Sequence, residues 1–112
     1  MGPRLTTQTL AVLSTMLADP TADWYGLALS KRSGLKPGTI YPILDRLLQA
    51  EWLERSWEEV DPSVQGRPRR RLYHMTAVGE TSARWALDQH LESLRVVTTP
   101  GGSRLNPRPA SA

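Results

Sequence analysis

Two groups of side chains in this sequence have the types and spacing to do chemistry. The first lies between Gly34 and Gln49. There Lys36, Thr39, Tyr41, Pro42 and Arg46 fall on the side of a candidate helix away from its apolar stripe. The hydroxyls of Thr39 and Tyr41 suit phosphate oxygens or base edges, and Lys36 and Arg46 supply charge. Pro42 offers an apolar surface to a thymine methyl or a sugar. A helix that reads duplex DNA in the major groove presents its N-terminal residues in this way. The second group is Arg67, Arg69, Arg70 and Arg71, four guanidinium groups within five residues. Arg67 and Arg69 suit phosphates or a narrow minor groove, where negative potential is enhanced. Arg70 and Arg71 point to opposite faces of an extended chain, so one of them, Arg70, joins the candidate contacts. Plainer readings exist for both groups. The helix also fits a surface helix over a core, Tyr41 a half-buried ring at the core's edge, and the arginines a solvated loop.

Other chemistries lack residues. There are no cysteines, so no thiolate metal site or disulfide can form. His74 and His90 are far apart and show no metal-ligand spacing. No Ser–His–Asp arrangement, phosphate loop or paired carboxylate site can be argued, so neither an enzyme, a metal site nor a cofactor is expected.

The elements that must position these groups follow from periodicity. A first helix runs from Thr6 or Thr7 to Leu17, capped by a threonine hydroxyl and carrying Leu10, Leu13 and Leu17 on one side. A second covers about Tyr25 to Ser33, anchored by Leu27 and Leu29 and stopped by Gly34. The third has Pro37 at a suitable first position, with Ile40, Ile43, Leu44, Leu47 and Leu48 as its apolar stripe. An interior proline costs ~3 kcal/mol, so Pro42 predicts either a start near Thr39 or a bend. After Ala50 the period becomes that of strands. The second half of Glu51–Trp57 and Arg69–Met75 form the arms of a hairpin, with Glu58–Gly66 as its loop. Tyr73 and Met75 face one way and His74 the other. Arg71 has Glu54 or Glu58 as alternative partners across the strands, and Trp24, Trp52 and Trp57 read as packing residues. Thr76 then caps a last helix to about Val97. Its stripe, Ala83, Leu87, Leu91 and Leu94, is longer than so small a core can cover, and a two-fold dimer is expected. The stretch from Thr98 to Ala112 has no periodicity and reads as a disordered tail.

The fold class is therefore mainly α with a small β-hairpin. A winged helix-turn-helix occupies residues 1–76, a long C-terminal dimerisation helix 77–97 and the tail 98–112. A chain of 112 residues with net charge +3 fits one domain with a local basic focus. No apolar run approaches the roughly 18 residues of a membrane span, and Met1–Leu5 lacks the apolar segment of a signal peptide. A cytoplasmic protein without a membrane partner is expected.

Three blocks of sequence resemble the PadR family of bacterial transcriptional regulators. They are Trp24-Tyr25-Gly26-Leu27-Ala28-Leu29, the run Gly34 to Leu47 with Gly38-Thr39-Ile40-Tyr41-Pro42 at its centre, and Gly66 to Gly79, which closes on Tyr73-His74-Met75-Thr76. The resemblance covers roughly Thr7 to Leu94. It implies a winged helix-turn-helix, a C-terminal helix that pairs two subunits, and repression by binding double-stranded DNA as a homodimer at a near-palindromic operator. It further implies relief by a small molecule. The short C-terminal part resembles the compact subfamily, some of whose members bind flat aromatic compounds between subunits through an aromatic residue on the last helix. Trp85 and His90 are the candidates here for such a small aromatic effector, with Trp85 earlier on the helix than the family pattern places it. A winged helix used for protein contact without DNA is the rival reading, and the basic hairpin argues against it.

Overall fold

The computed structural model describes residues 2–98, with side chains to Arg95. The expected tail lies outside the described residues beyond Thr98.

The first helix, α1 (Thr7–Leu17), begins where expected. Thr6 caps it, its Oγ1 accepting from Thr9 N–H at 3.1 Å. Leu10, Val12, Leu13 and Met16 turn inward. A two-residue strand, β1 (Trp24–Tyr25), leads straight into α2 (Gly26–Ser33). Gly34 ends α2 in the left-handed conformation, φ 78°, with its N–H donating to the Ser30 carbonyl at 3.0 Å. Only one of the two expected anchors of α2 holds: Leu29 is fully buried, whereas Leu27 is 61% exposed. Two residues of separation put them about 200° apart around a helix, so they cannot share a face, and Ser30 takes the second inward place.

Helix α3 (Pro37–Gln49) starts at Pro37 rather than late, and it contains Pro42. The Lys36 carbonyl accepts from both Thr39 N–H and Ile40 N–H at 2.9 Å, which secures the first turn before the proline is reached. Pro42 then withholds one N–H from Gly38, a residue exposed to solvent, which softens the loss. Ile40, Ile43, Leu44 and Leu47 are buried as the period demands. The helix ends in a Schellman motif: Glu51 N–H donates to the Leu48 carbonyl and Trp52 N–H to the Leu47 carbonyl, both at 3.0 Å. Its left-handed position is occupied by Glu51, φ 63°, where glycine would be at ease.

The hairpin is β2 (Leu53–Trp57) and β3 (Arg71–Met75), paired antiparallel with Leu53 opposite Met75 and Trp57 opposite Arg71. The return arm starts two residues later than its sequence suggested. Within the loop a single helical turn, α4 (Pro62–Gln65), is capped by Asp61 Oδ1 accepting from Ser63 N–H at 3.0 Å. The sheet has a third member: β1 pairs with β3, Trp24 opposite Tyr73, giving the order β1-β3-β2. Two residues are too few to show a period, so β1 was invisible in the sequence.

Helix α5 (Ala77–Thr98) is fastened at its start. Thr76 Oγ1 accepts from Gly79 N–H at 2.9 Å and donates to the Glu51 carbonyl at 2.8 Å. Gly79 is buried against the Trp52 backbone, and a Cβ there would overlap the Trp52 carbonyl. Ala83 and Ala86 join the core with Leu13, Met16, Leu29, Leu44 and Leu53, and Leu87 packs against it. The core is thus a three-helix cluster closed below by the inner face of the sheet.

Two substitutions at this junction should move stability in opposite directions, read by urea unfolding. Glu51→Gly should stabilise by about 1 kcal/mol by relieving the left-handed backbone. Gly79→Ala should destabilise by at least about 2 kcal/mol, because a backbone carbonyl has no rotamer with which to yield.

Candidate nucleic-acid interface

The outer side of α3 is built by subtraction. With Ile40, Ile43, Leu44 and Leu47 inward, successive residues at about 100° leave Gly38, Pro42, Asp45 and Gln49 pointing out. Thr39 and Arg46 share one edge of this face, and Tyr41 occupies the other. Lys36, Pro42 and Arg46 are exposed, Thr39 is half-buried and Tyr41 is 40% exposed. The five candidates are therefore spread over an arc rather than held in one cluster. Tyr41 leans on α2: a Cβ at Gly26 would lie 2.5 Å from Tyr41 Oη, so the glycine gives the ring its seat. Tyr41 thus rests against α2 with its ring edge open to solvent.

The wing is organised by an acid that the sequence assigned to a solvated loop. Glu58 is 6% exposed and accepts four hydrogen bonds. Arg67 donates through Nη1 to Oε1 at 2.7 Å and through Nη2 to Oε2 at 3.0 Å. Tyr25 Oη donates to Oε2 at 2.6 Å, and Arg70 N–H to Oε1 at 3.2 Å. The Arg67 guanidinium first, then the Tyr25 hydroxyl, holds the Glu58 carboxyl down at about 2, against the opposing effect of desolvation. In return the hydrogen bond to Glu58 raises the Tyr25 phenol above its ordinary value, and the same carboxylate raises Arg67.

This network corrects the assignment of Arg67. Its fork is spent on Glu58, so it braces the wing rather than reaching for a phosphate. Arg69 is exposed at the loop's return, steadied by Nε donating to the Val60 carbonyl at 2.8 Å. Arg70 lies over the Tyr25 ring, 5.0 Å from its centroid, and Arg71 over Trp57 at 4.1 Å. Arg71 thus pairs with neither Glu54 nor Glu58. Glu54 instead lies 3.1 Å from His74 Nε2. The wing's exposed cations are Arg69, Arg70 and Arg71, the last two held over aromatic rings. No sequence signal named Tyr25 as Glu58's partner, nor set Glu58 apart from its neighbours Glu59 and Asp61.

The C-terminal helix also differs from expectation. Ala83 is buried and Leu87 partly buried in the core of the same chain, where α5 packs on α1. Their stripe runs past the core as Leu91, 56% exposed, and Leu94, 47% exposed. Trp85 is 63% exposed and shares the opposite side of α5 with Val78. Five residues of separation set Trp85 and His90 about 140° apart, so within one subunit they do not line a common pocket.

A family model described as the transcriptional regulator PadR-like family matches residues 20–84, more than half of the chain. None of the curated proteins matches. Among solved structures, the PcaV transcriptional regulator from Streptomyces coelicolor in complex with its natural ligand is 26% identical, with a TM-score of 0.57 over 71% of this chain and 51% of that one. BpsR from Bordetella bronchiseptica, whose DNA binding is regulated by 6-hydroxynicotinic acid, is 19% identical with a TM-score of 0.68 over 93% and 66%. Wild-type apo MarR from E. coli is 21% identical with a TM-score of 0.59 over 72% and 54%. The chain spans between about half and two thirds of the length of these three structures.

The Glu58 network fixes a pH dependence. Its carboxyl titrates lower in the folded chain, about 2, than at its ordinary 4.5, so its stabilisation is complete above about pH 5 and lost as pH falls towards 2. Thermal unfolding followed by circular dichroism should show that acid limb. In Glu58→Gln the limb should flatten and the melting temperature at pH 7 should drop.

Proposed function

The chain belongs to the PadR-like family of transcriptional regulators, and from that premise we propose that it represses transcription as a homodimer bound to a near-palindromic operator. The observation that carries this reading is the pairing of an outward α3 face with a wing that exposes Arg69, Arg70 and Arg71 where β3 begins. Pro42 and the flanking Thr39, Tyr41 and Arg46 meet base edges and sugars in the major groove, with Lys36 and the wing arginines on phosphates. A helix of this size fills the groove and is read from its N-terminal half. Arg67 acts on this surface only by holding Glu58 and hence the wing.

Two copies join through α5. Leu91 extends the core stripe into solvent, and a matching stripe from a second copy would cover it. The two α3 helices then address successive major grooves about 34–36 Å apart. Release by a small aromatic effector is supported by likeness to BpsR, a protein regulated by 6-hydroxynicotinic acid. Among the described residues, no helix is long and apolar enough to cross a membrane and no three His, Asp or Glu group as metal ligands.

Binding to a duplex selected from a random pool should weaken steeply with salt. Arg69→Ala with Arg70→Ala should lower the slope of log K against log salt by about 2 per subunit and weaken all sequences alike. Thr39→Ala should weaken the selected duplex more than a random one. A gel-shift series with no salt dependence and no preference would remove DNA from the account. Leu91→Glu should shift the sedimentation coefficient to that of a single chain and abolish tight operator binding, with an unchanged circular dichroism spectrum.

A further inference from the structure

The middle line of the outward α3 face runs Gly38, Pro42, Asp45 and Gln49, and its one charge is negative. Asp45 is exposed, and among the described residues no cation comes within ion-pair distance of its carboxylate. The helix supplies no partner either. The places three and four residues away, where helical side chains meet, hold Tyr41, Pro42, Leu48 and Gln49. Glu80 and Glu92 on α5, by contrast, each pair with an arginine at such a step. Aspartate is also among the weaker helix formers, and this one stands in the second half of α3, away from the end that favours an anion. Stability of the folded chain therefore gives no reason for a carboxylate here. Against DNA it costs affinity as well, because it turns a negative charge towards a polyanion. Arg55 of β2 stands opposite Tyr73 on one face of the sheet. The Tyr73 phenol is raised chiefly by burial, and Arg55 lowers it while Asp45 raises it. Long-range balance with Arg55 is thus the rival account of Asp45.

We propose that Asp45 determines base specificity, its carboxylate accepting a hydrogen bond from the N4 amino group of one cytosine in the major groove of each half-site. This deepens the operator reading above and rests on it. The chemistry selects one base. At the major-groove edge guanine and thymine present acceptors, and adenine presents an acceptor beside its donor. Cytosine presents a donor alone. An ionised carboxylate can only accept, so it is repelled by the first two, half matched by adenine and fully matched by cytosine. Asp45 lies three residues beyond Pro42, ~4.5 Å along the helix axis, a little more than the ~3.4 Å between stacked base pairs. The base pair beside the one beneath Pro42 therefore comes within its reach. Exposed cations around the face, Lys36, Arg46 and the wing arginines, hold phosphates on either side and offset the repulsion. Specificity then comes from rejecting the wrong bases as much as from holding the right one.

The test selects duplexes from a random pool with the full chain, Asp45→Ala and Asp45→Asn, all checked for an unchanged circular dichroism spectrum. The parent chain should return a near-invariant cytosine in each half-site. Asp45→Ala should return no preference at that position and should bind random duplex more tightly than the parent. Asp45→Asn should turn the preference to adenine, which an amide matches through N6 and N7. Replacing the cytosine by N4-methylcytosine keeps the base pair and removes the groove-facing N–H. That change should weaken the parent chain about tenfold per half-site, as expected for a hydrogen bond to a charged group, and leave Asp45→Ala unaffected. An unchanged cytosine in both variants overturns the assignment, as does equal binding of the parent chain to the methylated duplex. So does loss of the cytosine in Arg55→Gln, which would give the reading to Arg55 and make Asp45 its counterweight. If no form binds any duplex, the operator reading fails and takes this assignment with it. If every form binds with one shared preference, the assignment of Asp45 fails alone.

Discussion

One buried carboxylate decides where the wing stands. An ionised group out of water is tolerable only when paired and fully hydrogen-bonded, and Glu58 meets that condition with donors from three separate places. Arg67 comes from the loop, Tyr25 from β1 and the Arg70 amide from the chain entering β3. The loop is thereby locked to the strand that begins α2. The β1–β3 pairing makes the same connection through the backbone. Removing a single partner would leave charge stranded in a closed place, so the wing and the helices hold their relation as a unit. The cost is one arginine withdrawn from the surface.

The remaining placements are steric. Tyr41 lies over α2 because Gly26 has no side chain, and α5 sits on the α3–β2 connection because Gly79 has none. These contacts act at opposite ends of the helix cluster. The first sets the angle between α2 and α3 at the outer surface. The second aims α5 away from the core so that its later turns emerge into solvent. Between them, the apolar stripe of α3 fixes its rotation, and with it which residues look outward.

Much of this was legible in the residues. The caps of α1 and α5, the stop at Gly34, the inward stripe of α3 and the alternation Tyr73–His74–Met75 each depend on near neighbours, and near neighbours are what periodicity and capping rules describe. What was not legible depends on contacts distant in sequence. β1 exists only because β3 lies beside it. Arg67 looked like a free cation until Glu58 was found nine residues earlier and folded inward. Ala83 and Leu87 have the spacing of a dimer seam, and the same spacing serves to cover α1. The stripe could be read; its partner could not. The arc of α3 was a matter of degree: listing residues off the apolar face did not separate its centre, Pro42, from its edges, Thr39 and Tyr41.

The withdrawal of Arg67 bears on why a single subunit would be a poor DNA ligand. Affinity for duplex DNA grows with the number of phosphates neutralised. Here the basic cluster of four reduces to Arg69, Arg70 and Arg71, joined by Lys36 and Arg46 on α3, with Asp45 exposed among them. On the operator reading, so short a set of contacts gives one subunit little hold at physiological salt. On that reading, two subunits held in register by α5 would double the contacts at the loss of freedom of one body, because the second half-site would bind from a high effective concentration.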